Sequence, residues 1–256
     1  MNLTPEELTR YARHIVLREV GGPGQMKLRA ARVLIVGAGG LGAPASMYLA
    51  AAGVGTIGIV DDDTVSLSNL QRQIVHDTTT IDTPKVESAA RTLNRINPHV
   101  AVEGHAQRLT QQTGPDMIDG PDLIDGYDLI LDGSDSYQTR YLVNALCVAA
   151  GKPLISAAMT QWEGQVSLYH PAAGTPCYAC VFPQAPADGL APSCAEAGIV
   201  GALGGIIGSM MAMEAIKHIT GAGQTLAGSL LLYDALYADS RRITIARDPA
   251  CKVCGV

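Results

Sequence analysis

Between the apolar run Arg32–Val36 and a run of small residues over 43–52 lies Gly37-Ala38-Gly39-Gly40-Leu41-Gly42, a GxGxxG turn. Glycines at these positions permit a tight strand-to-helix turn. They let backbone N–H groups approach a phosphate and place that phosphate at a helix N-terminus. Such a turn belongs to a βαβ unit, so Arg32–Val36 is expected as a buried parallel strand. Residues 43–52 follow as a helix ended by Gly53, and Thr56–Val60 as the second strand. Asp61, Asp62 and Asp63 come directly after that strand, and Asp61 stands where a carboxylate accepts from ribose hydroxyls. The alternatives are a purely structural glycine turn and a solvated strand-end acid.

The alternation continues along the chain. Thr83-Pro84-Lys85 opens a helix over 85–95 with Asn97-Pro98 as its stop. Residues 100–104 and 129–131 read as strands, the second ending in Asp132-Gly133-Ser134-Asp135. A helix over 137–150 and a strand over 153–157 complete a pattern that predicts a largely parallel sheet. Residues 164–170 and 229–233 read as strands of an antiparallel continuation. At the start, Thr4-Pro5-Glu6-Glu7 predicts a helix to about Leu17, broken by the glycines at 21–24, with Arg10, Arg13 and His14 close together on its surface. The expected fold class is α/β: a Rossmann-like, mostly parallel sheet with helices on both faces, continued by antiparallel strands and a zinc site of four cysteines. One domain over 1–256 is expected, with a nucleotide-binding part at about 30–160 and a second part at about 161–256.

Hydrophobic residues make up 47% of the chain and charged residues 16%, which excludes a disordered protein. Aromatics are only 4%, so Ala, Val, Ile, Leu and Gly must fill the core. A net charge of -6 with no Lys/Arg cluster argues against nucleic acid as a partner. Residues 1–7 carry no secretory signal. The uncharged stretch at 197–213 is shorter than the roughly 20 apolar residues a membrane span needs. It reads as a helix buried in the core or at a subunit interface, so no membrane partner is expected.

Asn69, Arg72 and Lys85 are spaced so that a loop and the next helix start return them to the sheet edge. Two cations near a glycine turn suit a triphosphate better than a dinucleotide. Asp132 and Asp135 end another parallel strand, the usual ligand crevice of an open sheet. An acid there repels bare phosphate unless a hard cation lies between, and Mg²⁺ favours carboxylate with phosphate oxygens. Together these groups read as a Mg-ATP site. His76, His99, His105 and His218 read as ordinary surface or helix residues.

Among six cysteines, Cys177, Cys180, Cys251 and Cys254 form two CxxC pairs, the spacing of tetrahedral zinc. Disulfides, free thiols or a redox centre are the alternatives. Metal thiolates suit a reducing, cytoplasmic location. Cys194 stands alone before the apolar helix, where a helix N-terminus favours a nucleophilic thiolate; a structural role is the alternative. Cys147 reads as a buried small hydrophobe.

The glycine turn, the run Asp61-Asp-Asp-Thr-Val-Ser-Leu-Ser-Asn-Leu-Gln-Arg-Gln73, Pro84-Lys85, Leu131-Asp-Gly-Ser-Asp135 and the paired CxxC motifs resemble the E1-like adenylyltransferases of the MoeB/ThiF/HesA family. The resemblance spans Arg10 to Cys254, and Ser-Asn-Leu-Gln-Arg-Gln is very specific. It implies ATP-dependent adenylation of the C-terminal Gly-Gly carboxylate of a small ubiquitin-like sulfur-carrier protein, with release of pyrophosphate. It implies ATP, Mg²⁺ and structural Zn²⁺, with Gly37, Gly39, Gly40, Gly42, Asp61, Ser68, Asn69, Leu70, Gln71 and Ser136 at the nucleotide. By the same resemblance Arg72 and Lys85 contact phosphate, Asp135 positions magnesium, and Arg13 reaches the ATP of a partner in a homodimer. The family commonly has Cys-Thr-Asp-Asn where this chain has Gly133-Ser134-Asp135-Ser136, which puts the nucleotide contact at Ser136 in doubt.

In related ThiF-type and ubiquitin-activating enzymes the cysteine matching Cys194 can take up the activated carrier or its sulfur, a step that is dispensable in MoeB-type proteins. Thr64-Val-Ser-Leu-Ser68 and Leu190-Ala-Pro-Ser-Cys-Ala-Glu-Ala-Gly198 resemble MoeB more closely. The expected carrier is therefore the small subunit of molybdopterin synthase, in molybdenum cofactor biosynthesis. The thiazole-forming carrier of thiamine biosynthesis is the alternative. With no sulfurtransferase domain after Val256, sulfur is expected from a separate donor. Outside this chemistry, a nicotinamide or flavin oxidoreductase leaves Arg72, Lys85 and Asp135 without a joint role. A non-catalytic carrier-binding scaffold would bind the carrier yet fail to exchange pyrophosphate.

Overall fold

The computed structural model describes residues 3–110, 117–186 and 197–255. A capping box starts it: Thr4 Oγ1 accepts from the Glu7 N–H at 3.2 Å, and Glu7 Oε2 accepts from the Thr4 N–H at 2.8 Å. The helix so begun, α1 (Pro5–Arg10), is shorter than expected, because Tyr11 separates it from α2 (Ala12–Ile15). Tyr11 is pulled into the core, where its hydroxyl accepts from Asn97 Nδ2 at 2.8 Å. The glycines read as a helix break instead open α3 (Gly21–Ala30). Gln25 and Leu28 are fully buried there, and Gln25 Nε2 donates to the Ala52 carbonyl at 2.8 Å. That burial outweighs the poor helix propensity of Gly and Pro.

An alternating run follows: β1 (Arg32–Val36), α4 (Gly42–Ala52), β2 (Thr56–Val60), α5 (Lys85–Ile96) and β3 (Ala101–His105). The short strands β4 (Arg108–Thr110) and β5 (Met117–Asp119) form a separate parallel pair. Then come α6 (Gly120–Asp125), β6 (Leu129–Asp132), α7 (Tyr137–Ala149), β7 (Leu154–Thr160) and β8 (Glu163–Tyr169). The described chain continues with α8 (Tyr178–Val181), α9 (Gly201–Thr220), β9 (Ser229–Asp234) and β10 (Asp239–Thr244).

The main sheet has eight strands in the order β10-β9-β8-β7-β6-β1-β2-β3. Strands β3, β2, β1, β6 and β7 are parallel, and β8, β9 and β10 continue the sheet antiparallel. This is the α/β, Rossmann-like class read from the sequence. Both faces of β1 are buried because its side chains alternate. Val33 and Ile35 enter one core with Leu49 of α4 and Ile207 of α9, whereas Leu34 and Val36 enter another with Ile124 of α6 and Val143 of α7. Strand β10 was not read from the sequence: every residue of Asp239–Thr244 is exposed, so it carries no apolar alternation.

Helix α9 packs on the sheet and on α4. A Cβ on Gly204 would lie 2.5 Å from the Gly40 carbonyl oxygen, and one on Gly208 2.5 Å from that of Leu41. The absence of side chains at these positions lets α9 back the glycine turn directly. Among the described residues no helix is long and apolar enough to cross a membrane.

Candidate active site

Strand β1 lies between β2 and β6, so the chain switches direction at its carboxyl end, where open α/β sheets bind ligands. A cleft of about 1140 Å³ opens there. Gly37 adopts φ +93, a conformation open to glycine, and Gly39 and Gly40 line the cleft. Gly42 does not line it. It begins α4 so close to the Gly37 carbonyl that no Cβ fits.

Two side chains brace this turn. Asp61 Oδ2 accepts from the Ala38 N–H at 2.7 Å and its Oδ1 from the Asp63 N–H at 2.9 Å. Burial pushes the Asp61 carboxyl up, against the pull of the Lys85 ammonium and of these N–H groups. His76 Nε2 donates to the Ala38 carbonyl at 3.1 Å, and its Nδ1 meets Ser88 Oγ at 2.9 Å. The surface reading of His76 was therefore wrong, since it is buried beneath the turn. Burial pushes its pKa down. A lone histidine leaves no periodic signal that would have revealed this.

Lys85, at the first position of α5, is also buried, with Nζ 2.6 Å from Asp63 and 3.8 Å from Asp61. Arg72 packs its stem on Gly40 and donates to the Ser68 carbonyl at 3.1 Å. It has no acidic partner among the described residues. Ser68, Asn69, Leu70 and Gln71 form the turn that delivers Arg72 and are not among the lining residues of the cleft. The Gln71 carbonyl instead packs under Gly201 at the start of α9.

Asp135 and Ser136 line the opposite margin, on the segment joining β6 to α7. Ser136 Oγ caps α7, accepting from the Thr139 N–H at 3.4 Å. The Asp135 carboxylate is exposed to the cleft and makes no hydrogen bond or ion pair to the described residues. Asp132 differs from the reading that placed it in the crevice. It is fully buried and accepts from Ser134 N–H at 3.1 Å, Ser134 Oγ at 2.6 Å and Ser156 Oγ at 2.9 Å. Those donors turn it under the loop instead of into the cleft.

Arg140 was missed in the sequence. It lines the cleft yet is only 6% exposed, its Nη2 donating to the Ser134 carbonyl at 2.7 Å and its Nε 3.8 Å from Asp132. The available signal was the cap at Ser136, which puts position 140 one turn along the same face. Gln73, buried beside Gly39, also lines the cleft.

The far half of the cleft lies on the antiparallel strands, with Glu163 and Gln165 of β8, Asp234 of β9, and Asp239 and Arg241 of β10. Seven acidic and five basic side chains line the whole, a balance of two negative charges. Arg13 sits exposed on α2, outside this cleft. Cys194 and most of the segment around it lie outside the described residues.

Behind α7, Cys177 and Cys180 meet Cys251 and Cys254. Their sulfurs are 3.9 Å (177–180), 3.7 Å (177–251) and 3.4 Å (180–254) apart, and all four lie within 4.8 Å. These separations exceed the roughly 2.05 Å of a disulfide. They approach the edge, about 3.8 Å, of a tetrahedron with 2.3 Å metal–sulfur bonds. The donor set and its geometry fit a tetrahedral metal.

The model of the ThiF family matches residues 11–253. The chain is 47% identical to the sulfur carrier protein adenylyltransferase of Thermus thermophilus, over all of this chain and 93% of that protein. It is also 47% identical to the pig adenylyltransferase and sulfurtransferase MOCS3, over 99% of this chain but only 54% of that longer protein. Among solved structures, E. coli MccB with MccA-N7isoASN superposes with a TM-score of 0.82 at 24% identity, covering 96% of this chain and 75% of that one. That likeness shows the fold alone.

Proposed function

This chain belongs to the ThiF family, and on that premise we propose that it adenylates the C-terminal glycine carboxylate of a small ubiquitin-like sulfur-carrier protein at the expense of ATP. It is an adenylyltransferase of that family. The observation that carries the reading is one cleft with two halves. Its inner half holds the glycine turn, with Arg72 and Asp135 both without an ion-pair partner among the described residues. Its outer half runs onto the antiparallel strands. Ligand pockets usually measure about 300–1,000 Å³, so this cleft has room for a nucleotide and the end of a polypeptide together.

In this reading a carrier carboxylate oxygen bonds to the α-phosphorus of ATP as the bond from that phosphorus to the bridging oxygen breaks, releasing pyrophosphate. The carboxylate is already ionised near neutral pH, so no general base is needed. What the site must do is offset negative charge. Backbone N–H groups of the glycine turn, with Arg72 and Lys85, hold phosphate oxygens and favour the charge that develops on them. Lys85 is held by Asp63 and Asp61, which fixes where its charge stands.

The lining of the cleft is net negative, which favours entry of a triphosphate together with a divalent cation, and Asp135, exposed at its margin, is read as a carboxylate that holds one. Bound Mg²⁺ would supply charge neutralisation between phosphate oxygens and Asp135. Asp61, committed to the turn through Oδ2, offers its remaining acceptor capacity to ribose. Ser136 Oγ, already engaged as a helix cap, contributes less to the nucleotide than an Asn would.

The four-cysteine centre is read as structural zinc, closing the C-terminal segment onto the body. The protein is read as a homodimer in which Arg13 serves the partner's cleft. Two features support this: Arg13 is exposed away from its own cleft, and Tyr48 and Ile74 line an apolar groove while 58% and 56% exposed. Within this chemistry the molybdopterin synthase small subunit is the preferred carrier. The support is the Thr64–Ser68 and Leu190–Gly198 sequences.

Pyrophosphate exchange with two purified carriers, one of each pathway, tests the assignment. Exchange with the molybdopterin-type carrier alone supports it, and exchange with the thiazole-type carrier alone reverses it. Binding of a carrier without exchange would make the protein a scaffold.

A further inference from the structure

Helix α7 reaches both the cleft and the cysteine centre. Its cap Ser136 and its Arg140 line the cleft, while Tyr141 and Val148 pack against the cysteines. Between them Asn144 is 1% exposed. Asn144 Oδ1 accepts from the N–H of Tyr178, the residue after Cys177, at 2.8 Å. Its Nδ2 is buried and makes no hydrogen bond to the described residues. Native interiors rarely leave such a donor unsatisfied, so this one calls for an acceptor.

The chemistry beside it supplies one. The amide is anchored through Oδ1 on the N–H of the peptide that joins Cys177 to Tyr178, which keeps Nδ2 in the neighbourhood of Cys177. A neutral thiol is a weak acceptor, whereas a thiolate held by a metal is a good partner for an amide N–H. The unpaired donor is thus explained once Cys177 is a metal ligand.

Resting on the zinc reading above, we infer that Asn144 is the outer-shell donor to the metal-bound Cys177 thiolate, and that through it the zinc centre positions α7 and the Asp135–Arg140 margin of the cleft. Asn144 lies eight residues beyond the cap, about 12 Å along the helix at 1.5 Å per residue. A shift of α7 at that point is carried to Arg140 and the Ser134 carbonyl it holds.

The test uses the full chain as wild type, Asn144→Ala and Asn144→Asp, each loaded with zinc and stripped of it. The aspartate variant keeps the acceptor for the Tyr178 N–H but replaces the donor with a charged oxygen, whereas the alanine variant removes the donor without adding charge, so the two are read together. Zinc affinity, measured by competition with a chromophoric chelator, should fall about 10–100-fold in both variants. Melting temperature should drop more in the loaded form than in the stripped form. Equilibrium ATP binding to the wild type should weaken when zinc is removed.

Unchanged zinc affinity in both variants, or equal losses of melting temperature with and without zinc, would reduce Asn144 to a clamp on Tyr178 and overturn the inference. ATP binding indifferent to zinc would break the link to the cleft. A wild type that takes up no zinc would instead sink the zinc reading, and this inference with it.

Discussion

Asp61 Oδ2 accepts a hydrogen bond from the backbone N–H of Ala38 at 2.7 Å, so the acid that ends β2 holds the glycine turn that ends β1. The glycine turn is therefore held in place by a side chain of the neighbouring strand end. The same carboxylate lies 3.8 Å from Lys85 Nζ, tying the turn to the first residue of α5.

Asp61→Ala is expected to cost about 1.5–3 kcal/mol of stability, the range for a hydrogen bond to a charged group. The Michaelis constant for ATP should also rise at least tenfold, because the turn loses its brace. Asp61→Asn keeps an acceptor and loses the cost of burying a charge, so it should recover much of the stability. Denaturant unfolding and an ATP titration check both expectations. An unchanged Michaelis constant in Asp61→Ala would detach this acid from the nucleotide.

Arg140→Met leaves buried Asp132 without its cation and the Ser134 carbonyl without its donor. Breaking a buried pair in this way costs about 3–5 kcal/mol. Adding Asp132→Asn should restore part of that loss, since the two residues are coupled. Strictly additive losses in the double variant would mean that Arg140 and Asp132 do not act together.

Acidification should loosen the turn through His76. Burial lowers its folded pKa below the ordinary value of 6.5. Above that value neither folded nor unfolded chain carries the proton, and the stability contribution is fully present. As pH falls through 6.5 toward the lower folded value, the unfolded chain binds the proton first and stability declines. His105 and His218, both pushed down chiefly by burial, act in the same direction. Comparison with His76→Gln therefore isolates the residue. Between pH 7.5 and 5.5, roughly the window in which an ordinary histidine titrates, the wild type should lose stability more steeply than the variant. Identical slopes would refute this role.

Arg13→Ala and Asp135→Ala should each abolish pyrophosphate exchange as homodimers. Mixed and reassembled, they form some heterodimers in which one cleft is intact, and exchange should partly return. Failure of the mixture to regain any activity, with heterodimers demonstrated, would remove Arg13 from the partner's site.

Residues whose burial repeats along an element are legible from sequence. Strands β1 and β2 are apolar on both faces and bounded by glycine or aspartate, so their limits follow from pattern alone. Helix α3 is not legible, because Gly21 to Gly24 disfavour a helix that buried Gln25 and Leu28 then hold in place. Strand β10 is exposed along its length and offers no alternation. In the cleft, the glycine turn, Asp61, Arg72, Lys85 and Asp135 could be named because strand ends and helix starts place them. His76 and Arg140 depend on partners far away in sequence or hidden under a loop, and Asp132 could not be told from Asp135 until the serines that bury it were seen.

The central claim is that this cleft adenylates a protein C-terminus. The direct measurement is exchange of labelled pyrophosphate into ATP with a purified carrier ending in Gly-Gly, beside the same carrier lacking its last glycine. Exchange should require the intact carrier and Mg²⁺, and should fall at least about 100-fold in Asp135→Ala. Exchange that persists with the truncated carrier, or that survives the loss of Asp135, would contradict the account.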